Sequence, residues 1–338
     1  MEFIELAELC DKGSSNLAQK DLVFDSGIYP VYGAPGEITK VDFFYQSKPY
    51  LGLIKDGAGV GRVMQLPANS SVIGTIQYIF PKENVDLKYL YYLIKYLDLG
   101  KANTGATIPH IYFKDYKKRK VKIRNYSEQK NIGQILELID NQLTTYKDIL
   151  EQYDLLIKSR FVELFGDVVL NTLDWPLVKL SAIAEYRIGL TYKPEAVSSS
   201  GIAVLRSGNI QNSQLCYEDT IYVNSKVDPK LLLKKNDILM CARNGSQSLV
   251  GKVALIENDI SNTTYGAFMM AISSKYYVYL FEYFRSQAFR RLISVGSTTT
   301  INQVTTRMLN SIVIPLPDLD TINRFALYHS QINKLKFA

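Results

Sequence analysis

The 338-residue sequence is poor in the side chains that carry redox and metal chemistry, with three cysteines and two histidines. Cys10, Cys216 and Cys241 lie far apart along the chain and form no CxxC pair. Neither a disulfide framework nor a structural zinc site is therefore supported. The sequence predicts free thiols and a chain that resides in a reducing cytoplasm.

Long apolar runs and an export signal are also lacking. The first residues, MEFIELAELCDKGSS, alternate acidic and apolar side chains without the basic start and apolar centre of a signal peptide. No stretch is apolar over the roughly 20 residues that a membrane span needs. We therefore expect a soluble protein that is not exported, and its net charge of +6 only slightly favours a polyanionic partner.

Motifs of the common enzyme classes are absent from the sequence. The chain has no P-loop, HExxH or GxSxG motif, no glycine-rich S-adenosylmethionine loop and no Asn-Pro-Pro-Tyr-type methylation motif. His110 and His329 lie in different segments without companion ligands, which predicts two polar surface residues. The glycines from Gly57 to Gly61 are typical of a turn between strands rather than a phosphate loop. We predict no intrinsic catalysis and no metal or cofactor site in this chain.

What the sequence does contain is an internal duplication. Hydrophobic residues make up 47 % and charged residues 21 %, which is typical of a folded chain, and the length suffices for two domains. LIKDGAGVGRV recurs as MCARNGSQSLVGKVALI, which aligns Lys55 with Arg243 and Asp56 with Asn244. Three further segments recur in the same order, 72–81 with 263–272, 86–97 with 275–292, and 105–123 with 296–314. The repeat predicts two mixed α/β domains of one design.

The segment between the copies, 127–166, has the pattern of one long helix. Ser127 is placed to cap its start and Gly166 to end it. At about 1.5 Å per residue it would be roughly 60 Å long, so it would act as a spacer as well as a linker. Its apolar residues step by three and four as in a coiled coil: Ile132, Leu136, Ile139, Leu143, Tyr146, Leu150, Tyr153 and Ile157.

A shorter helix is predicted after the second copy, over 318–338. Its apolar stripe consists of Ile322, Phe325, Ile332 and Leu335. Antiparallel pairing with the long helix would leave part of the seam uncovered, around Leu150, Tyr153, Ile157 and Leu164. A partner chain, a repacked helix end or a truncated product would each explain that mismatch.

The densest positive charge lies in KDYKKRKVKIR, from Lys114 to Arg124. Bases interleaved with aromatic residues suit a nucleic-acid backbone, whereas a solvated edge strand protected by lysines is the structural alternative. The candidate DNA contacts in this run are Lys114, Lys117, Lys118, Arg119 and Lys120. The second copy has no such run and offers Arg285, Arg290, Arg291 and Arg307.

The recurring loops carry side chains that can recognise base edges, since Arg and Lys pair with guanine, and Asn and Gln with adenine. Ordinary turn chemistry is the alternative, because Asp-Gly and Asn-Gly are favoured hairpin turns; for Asp56 and Asn244 both interpretations stay open. The loops differ between the copies, so we expect each copy to recognise a different sequence. The candidates are Lys55, Arg62, Arg206, Asn209, Arg243, Asn244, Gln247 and Lys252.

Hydroxyl and amide side chains cluster before a short predicted helix in each copy. A helix start can hold a phosphate through its backbone N–H groups, and helix capping is the alternative. The residues of this cluster are Thr104, Thr107 and His110 in the first copy and Thr298, Thr299, Thr300, Asn302 and Gln303 in the second.

In their order and duplication these segments resemble the specificity subunit of bacterial type I restriction-modification systems. The resemblance covers essentially the whole chain: YPVYGAPGEI, LIKDGAGVGRV, the Gly/Thr-Ile helix, the helix opened by SEQKNI, and a second round from WPLVKL. In these proteins a proline often precedes a Glu-Gln pair at the start of the helix. That proline is missing before Glu128-Gln129, and Asp320-Thr321 replaces the pair in the second copy.

The resemblance implies two target-recognition domains, each recognising one half of a bipartite DNA site. It also implies that two conserved helices set the gap between the halves. The same helices would dock two modification subunits, which bind S-adenosylmethionine and methylate adenine, and restriction subunits would join for cleavage. The helix residues assigned to the seam and to docking are Ile132, Leu136, Ile139, Leu143, Leu150, Tyr153, Ile157, Ile322, Phe325 and Ile332.

The sequence thus predicts an α+β fold with two mixed α/β target-recognition domains in pseudo-repeat. A long coiled-coil-type helix joins them, and a shorter second helix lies at the C-terminus. We place the domains at 1–126 and 167–317, and the helices at 127–166 and 318–338. The predicted function is recognition of an asymmetric bipartite DNA site and scaffolding of the other subunits. A stand-alone or fused endonuclease and a coiled-coil adaptor that does not bind DNA are the alternatives.

Overall fold

A computed structural model describes residues 3–102, 109–295 and 302–336. The chain divides into two compact units, unit 1 (Met1–Lys147) and unit 2 (Asp148–Ala338), whose boundary falls inside a long helix. Each unit combines small sheets with helices, so the predicted mixed α/β character is confirmed.

Unit 1 contains a four-stranded antiparallel sheet, a three-stranded sheet and a two-stranded pair. Its strands are β1 (Phe3–Glu5), β2 (Cys10–Ser14), β3 (Tyr29–Gly33), β4 (Gly36–Val41), β5 (Tyr50–Ile54), β6 (Val63–Leu66), β7 (Ser71–Val72), β8 (Ile76–Pro81) and β9 (Lys120–Lys122). The helices are α1 (Leu6–Leu9), α2 (Leu87–Leu97), α3 (Phe113–Tyr116) and α4 (Tyr126–Phe165), of which α4 continues into unit 2.

The strand order of unit 1 follows from burial of both faces of β5. All five residues of this strand, YLGLI, are buried. Leu51 and Leu53 belong to the cluster that includes Leu90 of α2, whereas Tyr50 and Ile54 belong to a separate cluster. The alternation of side chains along a strand separates the two sets. Strand β5 is therefore central in the sheet order β2-β8-β5-β6, and β3 joins antiparallel β4 to parallel β7 in the second sheet.

Unit 2 repeats this arrangement and adds strands. Its strands are β10 (Leu177–Lys179), β11 (Glu185–Ile188), β12 (Val197–Ser198), β13 (Ile202–Leu205), β14 (Ile210–Gln211), β15 (Gln214–Leu215), β16 (Ile221–Val223), β17 (Ile238–Cys241), β18 (Val253–Leu255), β19 (Thr263–Tyr265), β20 (Met269–Ser273) and β21 (Val313–Pro315). Its helices are α5 (Tyr277–Arg285), α6 (Gln287–Val295), α7 (Thr306–Ser311) and α8 (Leu319–Lys336).

The duplication is visible strand by strand. The order β11-β20-β17-β18 matches β2-β8-β5-β6, and β13 pairs with antiparallel β16 and parallel β19 as β3 pairs with β4 and β7. The helix that follows the sheet, α2 in unit 1 and α5 in unit 2, has a tyrosine whose hydroxyl donates a hydrogen bond to a backbone carbonyl. Tyr89 donates to Lys122 at 3.3 Å, and Tyr279 donates to Pro315 at 2.6 Å. The pseudo-repeat predicted from the sequence is therefore confirmed.

Helix α4 begins one residue earlier than predicted, and Ser127 does not cap it. Asn125 is the capping residue, because its side chain accepts a hydrogen bond from the Glu128 N–H at 2.9 Å. In turn, the carboxylate of Glu128 accepts a hydrogen bond from the Asn125 N–H at 3.3 Å. Gly166 ends the helix as predicted, with a left-handed φ of 69° that favours glycine.

The helix seam is covered at the opposite end from the one predicted. In unit 2, α8 lies in one core with the C-terminal part of α4, where Ile157 is fully buried and Tyr153 and Leu164 are half-buried. Residues 141–150 are exposed, including Leu143 at 52 % and Leu150 at 42 %. The predicted exposure is therefore confirmed for Leu150 and wrong for Tyr153, Ile157 and Leu164, because phenylalanines extend the apolar contact beyond residue 157.

An aromatic cluster forms the centre of that core. Phe161, Phe165, Tyr279 and Phe325 have ring centroids 4.9–5.6 Å apart, in edge-on and stacked arrangements. Such pairs are stabilising beyond the area they bury. The seam residues Ile322, Phe325 and Ile332 are 2 %, 0 % and 8 % exposed, so they hold unit 2 together and are not free to dock another subunit.

His329 is buried in this core, which contradicts its predicted surface position. It is 4 % exposed, and its Nε2 lies 3.6 Å from Oε1 of Glu282. The same carboxylate receives the Arg285 guanidinium at 2.6 Å. Burial alone would raise the pKa of Glu282, but the contacts with His329 and Arg285 outweigh it and lower that pKa overall.

Candidate nucleic-acid interface

In unit 1 the loop after the central strand is fastened to the segment that precedes α3. The Lys55 carbonyl accepts from the Ile111 N–H at 2.9 Å, and the Gly57 N–H donates to the Pro109 carbonyl at 3.0 Å. Asp56 and His110 face each other across this bridge. The loop is therefore held as part of the fold, with the side chain of Asp56 at 40 % exposure.

Unit 2 builds the same structure from different residues. The Ala242 carbonyl accepts from the Val304 N–H at 2.7 Å, and the Asn244 N–H donates to the Asn302 carbonyl at 3.4 Å. Between these bonds, Arg243 faces Gln303. His110 and Gln303 thus occupy matching places within the two segments that the sequence aligned only as wholes.

The hydrogen bonds correct the alignment of the loops by one residue. Lys55 donates its N–H to the Thr75 carbonyl as Ala242 does to that of Phe268, at 3.0 and 2.9 Å. Lys55 is therefore equivalent to Ala242, and Asp56 to Arg243. The sequence alignment paired Lys55 with Arg243 because both are basic. The two loops differ in length between this point and the glycine that closes each of them, so the residue types alone do not fix the register.

The closing glycines are Gly61 and Gly251, whose N–H groups donate to the carbonyls of Ile54 and Cys241 at 2.8 Å in both units. Both have positive φ values, 85° and 77°. A Cβ on Gly61 would lie 2.1 Å from the backbone nitrogen of Gly100, so only glycine fits there. The glycine-rich segment is thus a turn between strands β5 and β6, as predicted.

The basic residues that follow these glycines support the loops. Arg62 donates to the Ala34 carbonyl, and Lys252 donates to the Ile210 carbonyl at 2.9 Å. Lys55 lies 3.9 Å from the Asp56 carboxylate. All three predicted DNA contacts lie at the loop clusters, and each has a partner within its own unit.

Arg243 is placed differently from these bases. Its guanidinium lies over the ring of Phe268 at 5.8 Å, and that ring is 60 % exposed. Its Nε is buried and has no hydrogen-bond partner among the described residues. Asn244 next to it donates to the Ser207 hydroxyl at 3.1 Å and accepts from the Ser246 N–H at 3.0 Å. Asn244 is therefore tied into the turn, and Arg243 contacts an exposed aromatic ring.

Three predicted residues of unit 2 line one cleft of about 410 Å³: Gln247, Asn302 and Gln303. Arg290 of α6 lines it as well, and its guanidinium donates to the Val250 carbonyl. Asn302 donates to the Gly245 carbonyl at 3.2 Å, which ties the cleft wall to the loop. The cleft therefore combines amide groups and one cation beside Arg243.

Arg206 and Asn209 lie on the neighbouring turn, but only Arg206 reaches solvent. Asn209 is 2 % exposed, accepts from the Arg206 N–H at 2.8 Å and donates to the Cys216 carbonyl at 2.8 Å. The prediction that Asn209 contacts DNA is therefore wrong, because its amide is buried and fully engaged. Arg206 donates to the Asp219 carbonyl at 3.1 Å.

The basic run of unit 1 is spread over three structural elements. Lys114 lies on α3, above the Tyr112 ring at 5.2 Å, whereas Lys120 begins β9, which pairs with β1. Lys118, Arg119 and Lys120 are exposed, and Lys117 is half-buried. This geometry is compatible both with a phosphate-binding surface and with a lysine-protected edge strand.

The predicted threonine cluster falls mostly on residues outside those that the structure describes, namely Thr104, Thr107, Thr298, Thr299 and Thr300. His110, Asn302 and Gln303 are described, and they do not open a helix as expected. Helix α3 begins at Phe113 and α7 at Thr306, where Thr305 accepts from the Met308 N–H at 3.2 Å. These three residues bind the loops after β5 and β17 instead.

Phe268 is a site residue that the sequence did not single out. It lies between β19 and β20, at the end of the turn Gly266-Ala267-Phe268, and an aromatic residue shortly after a glycine between two β-prone runs was the available signal. Arg285, by contrast, is taken up by the core, since it pairs with Glu282 at 2.6 Å and lies 3.7 Å from Asp154.

Two units of one design, each presenting a polar loop cluster of its own chemistry, define a tandem recognition protein. The family model for the type I restriction modification DNA specificity domain matches residues 1–152 and 172–331. The chain therefore belongs to this family and carries its domain twice.

Two relatives are similar to the chain in sequence, and one solved structure is similar to it in fold. The chain is 24 % identical over 297 residues to the type I restriction enzyme MjaVIII specificity subunit of Methanocaldococcus jannaschii, covering 79 % of this chain and 68 % of that protein. It is 27 % identical over 159 residues to the type I restriction enzyme StySPI specificity subunit of Salmonella potsdam, covering 43 % and 33 %. The fold is similar to that of the type I restriction-modification S subunit from M. genitalium, with a TM-score of 0.65, 17 % identity, and 99 % and 91 % coverage.

No helix within residues 3–102, 109–295 and 302–336 is long and apolar enough to cross a membrane. Over the same residues, histidine, cysteine and acidic side chains form no group of three or more that could hold a metal ion.

Proposed function

We propose that this chain selects the DNA sequence for a type I restriction-modification complex. In this proposal each unit recognises one half of a bipartite site through its loop cluster. The observation that carries it is the match between the two clusters: the same four backbone contacts hold Asp56 in one unit and Arg243 in the other. A common scaffold with opposite charge at one position suits two half-sites of different sequence.

The residues proposed to contact DNA in unit 1 are those of its loop cluster and of the basic run: Lys55, Arg62, Thr104, His110, Lys114, Lys117, Lys118, Arg119 and Lys120. Those in unit 2 are Arg206, Arg243, Asn244, Gln247, Lys252, Thr299, Asn302 and Gln303. Lysines on exposed surface contribute affinity through phosphates, whereas the loop residues contribute sequence preference.

We assign DNA recognition to residues 1–126 and 167–317, and spacing and assembly to 127–166 and 318–338. The exposed stretch of α4 supports the assembly role, since Ile139, Leu143 and Leu150 are 46 %, 52 % and 42 % exposed. Apolar side chains at helical spacing are the usual contact for another helix. Two modification subunits, which supply S-adenosylmethionine and methyl transfer, and the restriction subunits are the proposed partners, and the proposed location is the bacterial cytoplasm.

The chain itself is proposed to be non-catalytic, as its relatives are named for specificity rather than for methylation or cleavage. The test compares the purified chain, the modification subunits and their mixture in transfer of labelled methyl groups to DNA. Transfer to specific sites is expected only from the mixture. Magnesium-dependent cleavage by the chain alone would favour the endonuclease alternative.

The adaptor alternative is separated by a binding measurement. The assembled complex is titrated with duplex DNA at a series of salt concentrations. Affinity that falls steeply with salt is expected, because binding releases counterions from the phosphates. Absence of DNA binding at low salt would leave only a protein-interaction role.

A further inference from the structure

The position of Asp56 in unit 1 and of Arg243 in unit 2 is the strongest candidate for a residue that chooses a base. Both residues follow the central strand of their unit, at the start of the turn to the next strand, where a bridge joins the chain to the segment before a short helix. The backbone at this point is fixed on both sides by hydrogen bonds of 2.7–3.4 Å. A side chain on such a rigid base can recognise a ligand without first being ordered.

Arg243 is held in a position that leaves its donors available. The guanidinium carbon lies 5.8 Å from the centroid of the Phe268 ring, a cation–π distance, and Phe268 is 60 % exposed. Its Nε is buried and has no hydrogen-bond partner among the described residues, and leaving such a donor unpaired is unfavourable.

Other arginines of unit 2 are engaged within the protein. Arg187 donates to Asp237 at 2.6 Å, and Arg206 and Arg290 donate to backbone carbonyls. These bonds hold the three side chains within their unit, whereas the Arg243 guanidinium is held, among the described residues, by the exposed ring of Phe268. A planar fork of N–H groups matches the O6 and N7 acceptors that guanine presents in the major groove.

Asp56 offers the complementary chemistry at the equivalent point. An ionised carboxylate only accepts hydrogen bonds, and the base-edge group it suits is the amino group of cytosine. Lys55 lies 3.9 Å from this carboxylate, a neighbour that moderates its repulsion from DNA phosphates.

We infer that this shared position is the specificity-determining position of both units. Arg243 donates to a guanine in the half-site of unit 2, and Asp56 accepts from the amino group of a cytosine in the half-site of unit 1. The inference rests on the proposed function, which it deepens by naming the bases.

The test maps methylated sites for the complex of the full chain with its modification subunits, in the wild type and in variants. Arg243→Ala is expected to make one guanine of one half-site degenerate while the other half-site is unchanged. Asp56→Asn is expected to change one cytosine of the opposite half-site to adenine, because an amide pairs with adenine. Lys235→Ala, which removes an exposed charge of unit 2 outside the loops, is the matched control and should leave the motif unchanged.

A competition assay with duplexes altered at single base pairs measures the same effect as affinity. The wild type should prefer the guanine by roughly 5- to 150-fold over other bases. Arg243→Ala should lose this preference, whereas Arg243→Lys should keep part of it, because lysine also pairs with guanine but lacks the planar fork. If Arg243 binds a phosphate instead, affinity falls uniformly for all sequences and the motif stays intact, which overturns the inference. Arg243→Gln keeps a long polar side chain, and the loss of guanine preference is expected from it even if the alanine variant unfolds.

Failure of the proposed function can be distinguished from failure of this inference. A wild-type complex that neither binds nor methylates specific sites contradicts the proposed function. A wild-type complex with a clear bipartite motif that both variants leave unchanged contradicts only this inference.

Discussion

Two aliphatic residues of α4 lie two heptads apart on the same predicted seam, and we expect very different effects from their removal. Ile157 is fully buried in the core of unit 2, whereas Leu143 is 52 % exposed. Replacing a buried isoleucine by alanine costs about 2–5 kcal/mol through lost burial and the cavity that remains. An exposed leucine should change the free energy of unfolding by less than about 0.5 kcal/mol.

The assay is urea denaturation of the full chain followed by tryptophan fluorescence. Trp175 is the single tryptophan and lies in unit 2, so its signal follows the unit that contains Ile157. With a denaturant slope of about 2 kcal/mol per molar, Ile157→Ala should lower the midpoint by about 1–2.5 M. Leu143→Ala should leave it unchanged, and so should Leu150→Ala, which removes a 42 % exposed leucine of unit 2 itself. Equal shifts for Ile157→Ala and Leu150→Ala would refute the burial assigned to the seam.

Two further outcomes follow from the buried titratable groups. The pKa of Glu282 is lowered in the folded state, so its ionised carboxylate stabilises the fold above the ordinary pKa of 4.5. This stabilisation is lost as the pH falls through the lower folded-state pKa. Thermal unfolding followed by Trp175 should show the loss of stability in acid, and Glu282→Gln should remove most of that pH dependence. Burial raises the pKa of the Cys10 thiol to about 12 and raises that of Cys241, so a thiol reagent should modify the half-buried Cys216 first, and faster reaction of Cys10 would contradict its burial.

The duplicated fold was predictable because its signals are local and occur in one order. The recurring glycine turns and the helix between the copies require particular residue types, and both Gly61 and Gly166 have the backbone conformation that explains them. The register of the loop cluster was not predictable. Arg243 aligned with Lys55 by charge, yet hydrogen bonds to segments far along the chain make it equivalent to Asp56.

Burial along α4 shows the same limit. The heptad pattern treats Leu143 and Ile157 alike, because spacing describes one face of a helix and not what covers it. Phe161 and Phe165 continue from Ile157 at steps of four, and this spacing was the available signal for the true contact. His329 is buried because Glu282 and Arg285 lie beside it, a contact between helices that no local pattern contains.

We propose that the two units recognise different halves of one DNA site. The direct measurement is the map of methylated adenines in cells that contain this chain together with its modification subunits. We expect one bipartite, asymmetric motif with a fixed gap between its halves. A palindrome of a single half-site, or methylation without a defined second half, would contradict it.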